Sequence, residues 1–380
     1  MLTSGIQMTL LMGPVVVVPA PRVVIDALDS VEVTSATGAA SGFRLSFQFS
    51  SKSDLNQLFL IVGAQGTSPA TPALRLILIV TLNGTPQPLF DGVMTRIQAQ
   101  PGSLGSAGTI TVFGVDLTRV MDTIDWSGLP FPALPIEARV ALLCAKYAPY
   151  GMIPLVIPVL FPDVPIPIES IPAQEGTDLA YIQQLAEEVG YIFYVEPGPV
   201  AGTNIAYFGP EIKIGIPQPA LNVDMDALTN VESLSFSFDA DQAVLPIVFI
   251  QNEVTRLPIP LPVPKLNPLQ PPLAALPTPV ANVTMLSGTA RLKPQHALAA
   301  GVAVAAASQD AVKASGSLDV LRYGRVLKAR HLVGVRGVGI AFDGLYFVSS
   351  VTSSLKRGQF KQSFELTRNG IVSLTPNVLP

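Results

Sequence analysis

Residues 43–49 read Phe-Arg-Leu-Ser-Phe-Gln-Phe, so apolar and polar side chains alternate along this stretch. Successive side chains of a β-strand point to opposite faces, and this period of two predicts a strand with one buried face. A similar alternation occurs at residues 233–238, where serines alternate with Leu234, Phe236 and Phe238. Because both halves of the chain carry this pattern, we expect a mainly β protein.

The sequence around residues 43–49 predicts further strands joined by tight turns. Residues 74–82 form a nearly continuous run of Leu, Ile and Val, which is typical of a strand buried on both faces. Asn83 and Gly84 follow directly, and both residue types accept the positive φ angles of a two-residue hairpin. The other strands predicted up to residue 120 are Arg22–Leu28, Phe90–Ile97 and Thr109–Val115.

Residues 121–225 show helical patterns between short strands. The clearest helix spans Thr177–Val189, because Thr177 is a favourable N-cap and apolar residues recur every three or four positions. Gly190 is placed to end this helix. An earlier helix is predicted over Ile136–Tyr147, with Pro135 at its first turn.

A proline-rich segment and an alanine-rich helix are predicted in the last third of the chain. Residues 258–279 contain nine prolines. Because proline excludes both helix and central strand, we expect an extended polyproline arm over residues 256–281. The arm is apolar, so it is expected to lie along a neighbouring surface. Residues 295–314 are rich in alanine and predict a helix.

These patterns divide the chain into three parts. Residues 1–120 predict a small antiparallel β-barrel, and residues 121–225 an α+β insertion. Residues 226–375 predict a second β-barrel, which includes the arm 256–281 and the helix 295–314. The expected fold class is therefore mainly β, with two small antiparallel barrels flanking a mixed α/β domain.

The composition restricts the possible functions. Charged residues make up 13% of the chain, compared with about 25% in typical soluble domains. The net charge of −4 leaves no basic stripe for a phosphate backbone, so nucleic-acid binding is not expected.

The apolar runs are too short or too rich in proline for a membrane helix. No basic residue precedes Arg22, which argues against a signal peptide and predicts cytoplasmic synthesis. The low charge therefore indicates surfaces that are covered in an assembly.

The residue types that usually carry catalysis or metal binding are few and scattered. The two histidines, His296 and His331, fall in different predicted elements and lack metal-ligand spacing. Cys144 is the only cysteine and lies among apolar residues of a predicted helix, which indicates a small buried hydrophobe.

Acidic and serine residues give no stronger signal. Glu187 and Glu188 are adjacent, so they diverge on the helix surface rather than converge on one bond. Ser106 lies in Gly-Ser-Ala-Gly, which is not the nucleophile elbow of hydrolases. The sequence therefore predicts no catalytic, cofactor-binding or metal-binding residue, and no cofactor.

Three segments resemble one known family. Residues 176–196 read Gly-Thr-Asp-Leu-Ala-Tyr-Ile-Gln-Gln-Leu-Ala-Glu-Glu-Val-Gly-Tyr-Ile-Phe-Tyr-Val-Glu. This segment resembles part of the phage late control gene D proteins and of the hub region of VgrG-type spike proteins. Phe342–Val351, followed by Gln359–Arg368, is similar to the closing hairpin of that family. Gly102–Leu117 is similar to one of its strand-and-turn segments.

The resemblance implies a structural role in a contractile injection system. The hub of this family is a trimer, and each subunit carries two barrels related to the tube protein. We therefore expect a homotrimeric baseplate hub, an adaptor between the sixfold inner tube protein and a threefold spike. The chain has no room for a spike domain, so the spike protein is expected to be a separate chain. Other baseplate subunits are further expected partners.

Two alternatives stay open at this point. One is a hub-like tail subunit with cell-wall-degrading activity. The other is an unrelated β-sandwich module that binds a ligand. A stable trimer would favour the hub, whereas a soluble monomer that binds sugar would favour the module.

Overall fold

The computed structural model describes residues 5–49, 73–102, 107–159, 164–168, 171–251, 257–263, 271–289, 294–375 and 378. Strands dominate these residues, as the alternating patterns predict. The strands that precede the helical region are β1 (Ile6–Gly13), β2 (Val18–Pro19), β3 (Leu28–Ala36), β4 (Gly42–Phe49), β5 (Arg75–Leu82), β6 (Thr85–Gln100) and β7 (Gly108–Asp116).

The remaining strands lie in the middle and in the last part of the chain. Those of the middle part are β8 (Met152–Val156), β9 (Ile192–Pro197), β10 (Asn204–Gly209) and β11 (Gln218–Asn222). Those of the last part are β12 (Val231–Phe238), β13 (Val244–Gln251), β14 (Pro258–Pro262), β15 (Ala274–Pro277), β16 (Asn282–Met285), β17 (Val312–Asp319), β18 (Leu332–Arg336), β19 (Gly344–Lys356), β20 (Gln359–Arg368) and β21 (Gly370–Ser373).

Six α-helices accompany the strands in the described residues. They are α1 (Arg22–Ala27), α2 (Thr118–Met121), α3 (Ile136–Ala145), α4 (Asp178–Val189), α5 (Pro294–Ala307) and α6 (Val320–Tyr323).

One large sheet of 13 strands joins the first and last parts of the chain. Its main order is β12-β17-β20-β19-β3-β4-β7-β6-β5-β1-β2, and β18 and β11 extend it beside β19. All neighbours along the main path are antiparallel. The division of this sheet into two barrel modules remains a prediction.

The seam of the sheet is the pair β3–β19. The strand β19 is long enough to change partners: residues 344–347 pair with β18, and residues 350–356 pair with β3. Below the seam, side chains from both parts share one apolar core, in which Val31 and Val33 lie with Val351 and Leu355. The two ends of the chain therefore fold as one packed unit.

The middle of the chain forms a second core beside the sheet. Strands β8, β10 and β9 form a three-stranded sheet against α3 and α4. Gly190 ends α4 in the left-handed conformation, with φ at 68°. A β-carbon there would lie 2.6 Å from the carbonyl oxygen of Ala299, so glycine also lets α5 pack closely. The predicted helix over Thr177–Val189 is confirmed.

The proline-rich segment differs from the predicted arm. Its described residues form β14 and β15, which pair with β13 and β21. The amide of Val263 donates to the carbonyl of Pro246 over 3.0 Å. Because hydrogen-bonded and non-hydrogen-bonded pairs alternate along an antiparallel pair, every second residue of β14 before Val263 faces β13 with its backbone groups, and the residues between them face away. Pro258, Pro260 and Pro262 therefore turn their nitrogens to the edge of β14 that has no strand partner among the described residues, and these positions carry no N–H there. An edge strand accepts proline at such positions, which is why a strand could form where polyproline was predicted.

Two further boundaries differ from the sequence prediction. Residues 22–27 form the short helix α1 rather than part of the strand predicted over Arg22–Leu28. The preceding Pro21 accepts the first helical bonds from Val24 and Ile25. The helix predicted over 295–314 ends at Ala307 in α5, because Val312 already begins β17 in the large sheet.

Candidate functional site

A polar face extends across eight strands of the large sheet. Directly paired residues of neighbouring strands point to the same face, so the register shows which side chains share a row. Ser235 pairs with Ser315, Thr352 pairs with Thr34, and Arg44 pairs with Phe113. The face continues without a change of side across the β3–β19 seam. Its residues include Ser233, Ser235, Ser315, Ser317, Ser363, Glu365, Thr352, Ser354, Glu32, Thr34, Arg44, Gln48, Phe113, Arg96 and Gln98.

Hydroxyl groups bridge neighbouring strands along this face. The hydroxyl oxygens of Ser233 and Ser317 are 2.8 Å apart, and those of Ser235 and Ser315 are 3.0 Å apart. These short side chains satisfy one another across neighbouring strands. The alternation at 233–238 is thus explained, although its apolar side is only partly buried because β12 is at the end of the sheet.

The charged groups of the polar face are unevenly paired. Lys361 lies 2.7 Å from Glu232, which neutralises that end of the face. The guanidinium groups of Arg44 and Arg96 instead both lie over the ring of Phe113. Their central carbons are 5.7 Å and 4.3 Å from the centre of that ring. No pattern in the sequence predicted a role for these arginines.

A cavity of about 390 Å³ lies behind the seam, between the large sheet, β9 and residues 326–331. The guanidinium of Arg330 lies beneath it, 4.0 Å over the ring of Tyr194, and its side chain is 6% exposed. It donates to the carbonyl of Ala36 over 2.7 Å. Burial raises the pKa of Asp116 in the same wall, although the amide of Ser41 donates to its carboxylate. The cavity wall is thus mixed, with many apolar side chains, and Arg330 and Asp116 in it hydrogen-bond to the backbone.

A buried ion pair fastens the middle part to the large sheet. The guanidinium of Arg75 donates to both oxygens of Asp91, over 2.7 Å and 2.6 Å. It also donates to the carbonyl of Tyr150, which precedes β8. The side-chain amide of Asn204, in β10, donates to Asp91 over 2.8 Å. Because both charges are almost fully buried, these hydrogen bonds are needed to offset desolvation.

Arg368 stabilises the end of the closing hairpin, one of the three segments that resemble the family. Its fully buried guanidinium donates to the carbonyls of Gly370, Asp343 and Ala341 over 2.8, 2.9 and 2.7 Å. It also lies 4.4 Å over the ring of Tyr346. The end of β20 is thereby tied to the loop that precedes β19, so this arginine has a structural role.

The other resembling segment is held at the start of α4. The hydroxyl of Thr177 accepts a hydrogen bond from the amide of Ala180, as predicted for an N-cap. Asp178 is fully buried and accepts from Lys146 over 3.0 Å and from the hydroxyl of Tyr147 over 2.8 Å. It also accepts from the side-chain amide of Gln174 over 2.7 Å, so it ties the start of α4 to the end of α3 and to the preceding loop, which no pattern in the sequence predicted.

The residues considered for catalysis or metal binding lie in separate places. His331 is exposed and contacts the carbonyl of Ala329, whereas His296 is buried in α5. Glu188 accepts a hydrogen bond from Gln184 on the surface of α4, and Cys144 is buried in α3. Glu187 is exposed, and Ser106 lies outside the described residues.

Two classes of feature are absent from the described part of the chain. No group of three or more His, Cys, Asp or Glu residues there could hold a metal ion. No helix there has the length and apolar character needed to cross a bilayer.

The fold has clear counterparts among solved structures. The tail protein from Neisseria meningitidis MC58 is 14% identical, with a TM-score of 0.59 over 99% of this chain and 100% of that one. The 43 kDa tail protein of prophage MuSo2 from Shewanella oneidensis is 13% identical, with a TM-score of 0.61 over 96% and 98%. A type VI secretion protein from Escherichia coli is 11% identical, with a TM-score of 0.52 over 93% and 77%.

Sequence comparison gives no such counterpart. No family model matches the chain. No curated protein matches it either. At identities this low, the structural likeness shows a shared fold, which is that of phage tail and type VI secretion proteins.

Proposed function

We propose that the chain is a structural hub subunit of a phage-tail-like contractile injection system. In this proposal three copies form a ring between an inner tube and a spike, and the polar sheet face lines the central channel. The observation that carries the proposal is the polar face that continues across the β3–β19 seam. The fold shared with tail proteins over nearly the whole chain supports the same role.

The three-part division is a component of this proposal. Residues 1–120 and 226–375 would each form one tube-like module, and residues 121–225 would lie beside them. Three copies would then present six modules to a sixfold tube protein and threefold symmetry to a separate spike protein. Other baseplate subunits would bind the outer surface of the ring.

Exposed aliphatic side chains support the proposed assembly. Ile168 is 95% exposed and Ile216 is 92% exposed, and both lie in the middle part of the chain. Covering such large apolar side chains with another protein removes them from water, which is favourable. We infer that partner subunits cover this part and that the chain has no enzymatic activity of its own.

Mass photometry and electron microscopy of the purified chain test the proposal. We expect a particle of three times the 40.0 kDa chain mass, with a threefold ring and an open channel. A monomer at every concentration, with no ring in images, would contradict the proposal. Turnover of added peptidoglycan would overturn the non-enzymatic part.

A further inference from the structure

Two arginines on the polar face share one aromatic ring. Arg44 in β4, Phe113 in β7 and Arg96 in β6 are direct partners along one row of the sheet. We call these three residues the arginine sandwich. Both arginines are exposed and the ring is half-buried, so the guanidinium groups are open to a partner. They border a shallow depression of about 640 Å³.

Within the described residues neither guanidinium group forms an ion pair, although Glu32 is the direct strand partner of Arg44. Lys361, on the same face, is paired with Glu232. Among the described residues, no carboxylate lies within ion-pair distance of Arg44 or Arg96. A guanidinium that stacks on a ring keeps a fixed orientation and directs its N–H groups away from the ring. The arginine sandwich therefore presents two oriented forks of hydrogen-bond donors.

We propose that the arginine sandwich binds carboxylate side chains of an acidic segment of a partner protein. Paired N–H donors match the two oxygens of a carboxylate, and such charge-assisted bonds are among the strongest in proteins. Thr34 and Thr95 also line the depression, but their hydroxyl groups already bond to Thr352 and to the carbonyl of Phe113, so the proposed recognition depends on the two guanidinium groups. Binding of the acidic segment depends on the proposed hub function in one respect, which is that the polar face must be uncovered in the assembled ring.

The charge around the arginine sandwich favours an acidic peptide over a nucleic acid. Tracking a phosphate backbone takes a stripe of several cations. Here the chain has a net charge of −4, and Glu32 is the direct partner of Arg44 on this face. Glu32 is the partner of Arg44 and not of Arg96, so the depression suits a short segment with one or two carboxylates better than a long polyanion, which would bring more negative charge against Glu32.

Binding of a fluorescein-labelled hexaglutamate peptide, measured by fluorescence anisotropy, tests the proposal. The double variant Arg44→Gln/Arg96→Gln is expected to bind about tenfold more weakly or worse, because both forks are removed. The matched control is Lys313→Gln/Lys361→Gln, which removes the same charge from the same face. This control is expected to change affinity by no more than about twofold.

Several outcomes would overturn the proposal. They are no binding of hexaglutamate by the wild-type chain, equal losses in the two double variants, and tighter binding of a single-stranded oligothymidine than of hexaglutamate. If the arginine double variant fails to fold, Phe113→Leu keeps both charges and removes the ring that orients them. Unchanged binding in Phe113→Leu would also count against the arginine sandwich.

The particle mass, measured on the same samples, separates this proposal from the hub function. A trimeric ring that does not bind hexaglutamate would remove the present inference and leave the hub function intact. A monomer that binds hexaglutamate through Arg44 and Arg96 would remove the hub function and leave the present inference intact.

Discussion

Thr34 and Thr352 lie 318 positions apart in the chain, yet their Oγ1 atoms are 3.0 Å apart. They are direct partners in β3 and β19, so this hydrogen bond lies on the seam of the large sheet. Each of these strands would otherwise have an unpaired edge of N–H and C=O groups. The pairing therefore closes both edges within one chain and keeps the polar face continuous.

The burial of two phenylalanines predicts different tolerance to charge. Phe47 is fully buried under the sheet, whereas Phe236 is half-buried on the end strand β12. Phe47→Asp is expected to cost more than about 4 kcal/mol and to abolish soluble expression. Phe236→Asp is expected to cost about 1–2 kcal/mol, because its carboxylate can reach water. Soluble yield and thermal unfolding measure both, and equal effects would contradict the assigned burial.

Loss of the Arg368 side chain should destabilise the closing hairpin. Arg368→Leu removes three hydrogen bonds to carbonyls, of which that of Gly370 is buried, and the contact with Tyr346, so we expect a loss of about 3–5 kcal/mol in the free energy of unfolding. Arg357→Leu is the matched control, since Arg357 is exposed and donates to the carbonyl of Asp26. Denaturant unfolding measures both variants. A loss in Arg368→Leu no larger than that of the control would show that the carbonyl contacts are unimportant.

The prolines of β14 are expected to prevent sheet extension between molecules. Replacing Pro258, Pro260 and Pro262 by threonine restores N–H donors on the free edge, which can then pair with another strand. We expect concentration-dependent aggregation of the triple variant in sedimentation velocity. Pro258→Thr alone adds one donor and should aggregate less. A triple variant that sediments like the wild-type chain would refute this role.

The single cysteine should be inert in the native chain. Burial, with a smaller effect of Asp178, raises the pKa of the Cys144 thiol to about 12. The reactive thiolate is therefore scarce at neutral and mildly alkaline pH. We expect no labelling by a thiol reagent before unfolding and complete labelling in denaturant. Rapid labelling under native conditions would show that the core around α3 opens easily.

The local patterns of the sequence predicted the local structure well. The alternation at residues 43–49 became β4, with Phe43, Leu45, Phe47 and Phe49 buried, and the Asn83-Gly84 hairpin formed as expected. Thr177 and Gly190 cap α4 as predicted. These features depend on side-chain periodicity and on backbone preferences of single residues, both of which can be read along the chain.

Long-range pairing was not predictable in the same way. Nothing in the periodicity of β3 specifies β19 as its partner, because the register arises only when distant strands meet. The roles of Arg368 and of the Arg75–Asp91 pair were missed for the same reason, since their partners lie on other elements. In β14 the prolines indicated an extended arm, and only the strand β13 beside them turned that segment into an edge strand.

The seam also sets the order in which the protein can form during translation. The strand β3 leaves the ribosome long before residues 350–356, which pair with it, because Thr34 and Thr352 are 318 positions apart. Until then the nascent β3 has an open edge, which exposes the growing polypeptide to non-native pairing. The seam can thus close only after residues 350–356 have been made, and a chaperone that shields β3 until then would raise the yield.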